Sequence, residues 1–180
     1  NLNHIIDKEN KTLIFGQFLK NRISLKPLNF VKIAAAIVEP IQGEGGITKL
    51  ETSLVQNLRS LSKANNFQLI FDEIQAGLGR SGTLWAFEYY NVIPDILTLG
   101  KALGGGLPIG ALVSDKEKMA QFTFNPMLGH ITTFGGHPLI CTAAHAGLKY
   151  LLDHQLVETV NEKGQLLHDL LVNHPLVKEM

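Results

Sequence analysis

The sequence predicts an α/β fold, with a mostly parallel sheet flanked by helices. Two patterns carry that expectation. Several short runs, among them "KIAAAIVEP", "FQLIFDE" and "DILTLGK", are apolar almost throughout. Strands of that kind are buried on both faces, as in parallel sheets, rather than on one. Between them lie segments whose leucines recur at helical spacing, the signature of βαβ units. With 180 residues and 45% hydrophobic content, the chain can bury a sizeable core.

The elements follow in order. Lys32 to Pro40 reads as a buried strand, stopped by its proline. Leu54, Leu58 and Leu61 mark a helix from Thr52 to Asn65, with Thr52 or Ser53 as its N-cap. Phe67 to Glu73 is a second strand, Asp95 to Lys101 a third and Ile109 to Ser114 a fourth. A long helix starts at Pro138, where proline suits the first turn. Leu156, Val160, Leu167 and Leu170 suggest another helix, Gln155 to Asn173.

Charge and composition narrow the function. Lys plus Arg is 16 and Asp plus Glu is 16, which argues against a nucleic-acid groove or an anionic-membrane surface. The single cysteine, Cys141, excludes an internal disulfide and fits a reducing compartment, so a cytoplasmic location is expected. As a helix residue, Cys141 reads as core. No apolar run approaches the ~20 residues of a membrane span, and "NLNHIIDKEN" lacks the layout of a signal peptide. The histidines show no metal-ligand spacing, so no metal is expected. His130 and His137 read as structural. The opening Asn1 and the ending "HPLVKEM" suggest an internal piece of a longer protein.

In open α/β sheets, ligands sit beyond the carboxyl ends of the strands. Glu39, Asp72 and Lys101 end the first three predicted strands, so three ionisable groups are expected on one edge. Two glycine spellings compete for attention there. "GLGRSG", Gly77 to Gly82, reads G-x-G-x-x-G, but Asp72 to Ala76 intervene between strand and first glycine. A dinucleotide loop needs its glycine straight after the strand and a helix opening at its last glycine. Asp95, at the distance of a ribose-binding acid, begins a strand instead of ending one. The bland reading is a glycine-rich loop with a structural Arg80. "GKALGGGLPIG" resembles a phosphate loop, but Lys101 precedes its glycines and Ala102 follows it, so that spelling fails as well.

What survives is a carboxylate and a lysine on neighbouring strand ends. Pyridoxal phosphate needs that pair: an amine to hold its aldehyde and an anion to keep its ring nitrogen protonated. Four segments then carry a family resemblance: "AIVEPIQGEGG", "LIFDEIQAGLGRSG", "PDILTLGKALGGGLPIGA" and "HITTFGGHP". In this order and spacing the chain resembles the class III pyridoxal-phosphate-dependent aminotransferases, the ornithine, acetylornithine and 4-aminobutyrate group. The resemblance covers roughly Lys32 to Leu152.

That resemblance implies a fold-type I cofactor-binding domain and a ping-pong transfer of an amino group from an amine or amino acid to a 2-oxo acid. It makes Lys101 the Schiff-base lysine and the proton shuttle, and Asp72 the partner of the ring nitrogen. Ile74 would pack on the ring face, and Gln75 would bond the ring hydroxyl. Glu44 would be the gate that pairs with a substrate-binding arginine, and Glu39 would support the groups behind the site. Thr133 would reach the cofactor phosphate of a neighbouring subunit in a homodimer, although Thr132 beside it is an equal candidate by position. Simpler readings stand beside these, with Glu44 as a solvated loop carboxylate and the threonines as strand filler.

The family's upstream phosphate-binding turn is absent, and so is its downstream small domain with a carboxylate-binding arginine. Arg22, Arg59 and Arg80 match neither feature. Residues 1–152 are therefore expected to be the second half of the large cofactor-binding domain. Residues 153–180 would be the helix leading toward the small domain. Alone, such a piece is expected to bind the cofactor weakly or not at all. An aminomutase or decarboxylase of the same fold, and a non-catalytic module retaining it, remain alternatives.

Overall fold

The computed structural model describes residues 3–7, 13–16, 33–124, 126–127 and 129–177. Lys32, with which the first predicted strand begins, Arg22, and the last three residues lie outside them.

Two strands, β1 (Asn3–Asp7) and β2 (Leu13–Gly16), form an antiparallel hairpin. The first predicted strand is β3 (Ile33–Val38), followed by a small antiparallel ribbon of β4 (Ile41–Gln42) and β5 (Thr48–Lys49). Helix α1 (Thr52–Ala64) leads to β6 (Gln68–Asp72). A 3₁₀ turn at Ala86–Tyr90 precedes β7 (Ile96–Gly100), and another at Lys101–Gly104 precedes β8 (Gly110–Ser114). A short α2 (Lys116–Ala120), a long α3 (Pro138–Asp153) and α4 (Val160–Leu171) complete the chain.

The main sheet runs β2-β1-β3-β6-β7-β8. Its centre, β3-β6-β7, is parallel and carries the predicted ligand edge. The α/β class and its helix-flanked parallel sheet therefore stand, with antiparallel strands added at both sides. β8 turns back because the link from Gly100 to Gly110 is too short for the crossover that parallel pairing requires.

The core lies between the central strands and α1. Val38, Leu69, Phe71, Leu97 and Leu99 meet Val55 and Leu58 of the helix. Leu54 and Leu61 pack on the same cluster, which accounts for the leucine spacing. The N-cap expectation needs correction. Glu51 occupies that position, without a side-chain cap, and its carbonyl accepts from the Leu54 and Val55 N–H groups at 3.0 and 3.2 Å. Thr52 is already helical.

Buried Tyr90 closes the core beneath the end of β3. Its hydroxyl donates to the Pro40 carbonyl at 2.6 Å, and burial pushes the phenol up to about 12. The predicted helix from Gln155 instead opens with a 3₁₀ turn at Leu156–Thr159, after Gln155 itself takes a left-handed conformation. Cys141, expected in the core, is exposed on α3, whose one buried residue is Ala144. No helix among the described residues is long and apolar enough to cross a membrane.

Asp95, just before β7, is the other anchor of the sheet. Arg59 of α1 grips it with both guanidinium nitrogens, at 2.6 and 2.9 Å. The same carboxylate accepts from the Leu69 N–H at 2.8 Å, which ties β7 to β6. Partial burial would raise the Asp95 carboxyl, but Arg59 and the Leu69 N–H outweigh it and hold the group below the usual carboxylate range. A lowered carboxyl stabilises the fold above its ordinary pKa and stops doing so as the pH falls through the lowered value. Asp95→Asn is therefore expected to lower unfolding free energy at pH 7 by about 1–2 kcal/mol, allowing for the pair's partial exposure. In urea denaturation at a series of pH values, the gap to wild type should begin to close near about pH 3.9. A gap that widens toward acid would contradict this assignment.

Candidate active site

Three parallel strands deliver their ends side by side. Val38 pairs in register with Phe71, and Asp72 with Thr98. Glu39 is thus the first residue beyond β3, Asp72 the last of β6, and Lys101 the first beyond β7. The three groups read from the sequence do lie on one edge of the sheet.

The segment leaving β6 holds most of the site. Asp72 is half-buried, and its Oδ1 accepts from the Ile74 N–H at 3.0 Å. Its Oδ2 makes no hydrogen bond among the described residues, which leaves an anionic oxygen available. Ile74 leans on the end of β7: a methyl group at Gly100 would lie 3.3 Å from Ile74 Cγ2 and 3.2 Å from the Ile109 carbonyl. Gln75 lies across Gly43 so closely that a Cβ there would fall 1.8 Å from Gln75 Oε1. Gly43 is in turn held by Glu39, whose Oε2 accepts its N–H at 3.0 Å. Glu39 thus supports Gln75 from behind, through a position where only glycine leaves room.

Lys101 begins its 3₁₀ turn with φ 44, an uncommon conformation for a residue with a side chain. Such backbone persists only where the surroundings hold it. Here Gly105, which caps that turn, packs against α3, where a Cβ would meet the Ala143 carbonyl at 3.3 Å. The exposed lysine lines a cleft of about 660 Å³ together with Ile74, Gln75, Gly43, Gln42, Ile41, Ile47, Ala76, Arg80, Ser81 and Ala102. No carboxylate belongs to that lining. Two cations, Lys101 and Arg80, face a mainly apolar hollow.

The remaining predicted residues lie apart from this lining. Glu44 is exposed in the turn between β4 and β5, where the Gly43 carbonyl accepts from Gly46 and Ile47. Thr133 is exposed in the segment before α3. Its neighbour Thr132 lines a separate cleft of about 730 Å³ with Pro108, Ile109 and His137. A third cleft, also about 730 Å³, lies around Arg59, Lys63, Asp95 and Lys118 and contains none of the predicted residues.

Two neighbours of the predicted set escaped the sequence reading. Arg80, taken as structural, lines the lysine cleft and makes no ion pair among the described residues. Glu73 is 2% exposed, and its carboxylate accepts from the Ala86 and Phe87 N–H groups at 2.7 and 2.8 Å. Burial pushes its carboxyl above the usual range, although both backbone bonds pull the other way. Strand alternation was the signal for Glu73, since a residue following outward-facing Asp72 must face inward.

Known proteins match most of the chain. The model of the aminotransferase class-III family matches residues 6–176. The acetylornithine aminotransferase of Clostridium acetobutylicum is 51% identical over 142 residues, 78% of this chain and 36% of that protein. The ornithine aminotransferase of Macrococcus caseolyticus is 40% identical over 94% of this chain and 42% of its own length. Among solved structures, the ornithine aminotransferase of Toxoplasma gondii, with partial occupancy of PLP at its active site, superposes with a TM-score of 0.71 at 37% identity. That match covers 79% of this chain and 34% of the other. The N-acetylornithine aminotransferase of Stenotrophomonas maltophilia gives 0.64 at 38% identity, covering 76% and 34%. The chain spans between a third and about two-fifths of the length of these relatives. By the extent of the family match, this chain belongs to the class-III aminotransferases.

Proposed function

We propose that the protein carrying this chain is a pyridoxal-phosphate-dependent transaminase, moving an amino group from an amine or amino acid to a 2-oxo acid by a ping-pong mechanism. The observation that carries the reading is the pairing of Asp72 and Lys101 at adjacent parallel strand ends, in a chain of this family.

The residues fit the cofactor. Asp72 offers an oxygen free of hydrogen bonds among the described residues, suited to a cationic ring nitrogen. Gly43 and Gly100 leave the room that keeps Gln75 and Ile74 in place. When bound, pyridoxal phosphate supplies an electron sink for charge developing on the substrate carbon. Lys101 Nζ would hold the cofactor at rest and then move the proton at the substrate carbon that bears the amino group. Asp72 would keep the ring nitrogen charged, Ile74 would cover the ring face, and Gln75 would bond the ring hydroxyl. The cationic, acid-free lining suits a carboxylate-bearing substrate.

Other roles rest on the family resemblance. Glu44 would gate an arginine outside this chain, and Glu39 would support Gln75 through Gly43. Thr133 would serve the phosphate of a partner subunit in a cytoplasmic homodimer. Its exposure, away from the lysine cleft, supports that role over one in its own site. Residues 1–152 would form the second half of the large domain, and residues 153–180 the exit toward a small domain.

Lys101→Ala in the full-length protein is expected to abolish the visible absorbance of bound cofactor and to cut amino transfer by ~10³-fold or more. An unchanged spectrum would overturn the assignment. Turnover should require a 2-oxo acid in steady-state assays, whereas turnover without one would point to an aminomutase or decarboxylase. Gly43→Ala should displace Gln75 and weaken cofactor binding in an equilibrium titration, while leaving the thermal midpoint of the cofactor-free protein nearly unchanged.

A further inference from the structure

Glu73 is a buried carboxylate with no role in the chemistry above. No cation pairs with it among the described residues, and its side-chain partners are two backbone N–H groups. A leucine of similar volume would be cheaper to bury but would accept neither. What those two bonds fix is specific. Ala86 and Phe87 open the 3₁₀ turn that ends the loop beginning at Gly77. At the other end of that loop, the Gly77 N–H donates to the Glu73 carbonyl at 3.0 Å. The Glu73 N–H donates to the Thr98 carbonyl of β7 at 3.0 Å, continuing the ladder one step past Asp72.

One residue therefore ties together the end of β6, strand β7 and both ends of the glycine-rich loop. That loop carries Arg80 and Ser81 on the wall of the lysine cleft. On either side of Glu73 stand Asp72 and Ile74, with Gln75 next. Gly77 leaves no slack, since a Cβ there would lie 3.0 Å from the Glu73 carbonyl and 3.2 Å from Oε2. We propose that Glu73 is a positioning residue of the cofactor site: by clamping the loop 77–85 at its base, it sets Asp72 at the strand end and Ile74, Gln75 and Arg80 on the lining of the cleft. The proposal rests on the cofactor reading above.

The test uses the full-length protein and pyridoxal phosphate itself. Cofactor-free wild type, E73Q, E73D and R59A are titrated with the cofactor, at a temperature where circular dichroism shows all four folded. E73Q turns an amide N–H toward a backbone donor, and E73D keeps the charge but shortens its reach. R59A weakens the fold at the opposite end of the sheet. Both Glu73 variants are expected to raise the cofactor Kd by about tenfold or more, and to shift the absorbance maximum of the bound form. R59A should leave both unchanged. If E73Q gives no folded protein, E73D decides. Wild-type affinity in the folded Glu73 variants overturns the proposal, as does an equal loss in R59A for an equal fall in thermal midpoint. A wild-type protein that binds no pyridoxal phosphate overturns the reading of function instead, and this inference with it.

Discussion

The site depends on how two adjacent carboxylates part company at the end of β6. A strand sends successive side chains to opposite faces. Asp72 therefore stays half-exposed at the strand end, while Glu73 turns into the core and is held by the Ala86 and Phe87 N–H groups. Parallel pairing with β3 and β7 then brings Glu39 and Lys101 to the same edge. Reversing the first pairing would send Glu39 to the far end of the sheet, and reversing the second would send Lys101 there. The arrangement thus follows from the order and direction of three strands and from one buried acid beside a half-buried one.

Much of this arrangement is legible in the sequence. The strands are mostly apolar up to their ends, so the switch to Glu39, Asp72 and Lys101 marks those ends within a residue. Their direction follows from the segments between them, which are long enough for crossovers. β8 was read as a strand, but its direction is set by the length of the link from Gly100, which apolar pattern does not report. The dinucleotide spelling failed on context, and the fold agrees. Asp95 is engaged by Arg59 and the Leu69 N–H at the start of β7, remote from the strand ends that bear the site.

Other features depend on contacts between residues distant in sequence, and no local pattern announces those. Gly43 looked like one glycine among several in "QGEGG", yet it is the one pressed against Gln75 across the loop. For Glu73, strand alternation signals the inward direction but not the partners. Only the 3₁₀ turn thirteen residues onward shows why its carboxylate is tolerated inside. Cys141 followed a helix rule for burial, but its face of α3 is uncovered among the described residues. The left-handed Lys101 is strained backbone at a residue that chemistry had already singled out, and its local sequence gives no sign of the strain.

The central claim is that Lys101, at the strand end next to the one that bears Asp72, is the residue that holds the cofactor. Borohydride treatment of the full-length protein with pyridoxal phosphate, followed by peptide mass mapping, tests it most directly. The account predicts one stoichiometric added mass, on the peptide containing Lys101. A label on another lysine, or none at all, would contradict it.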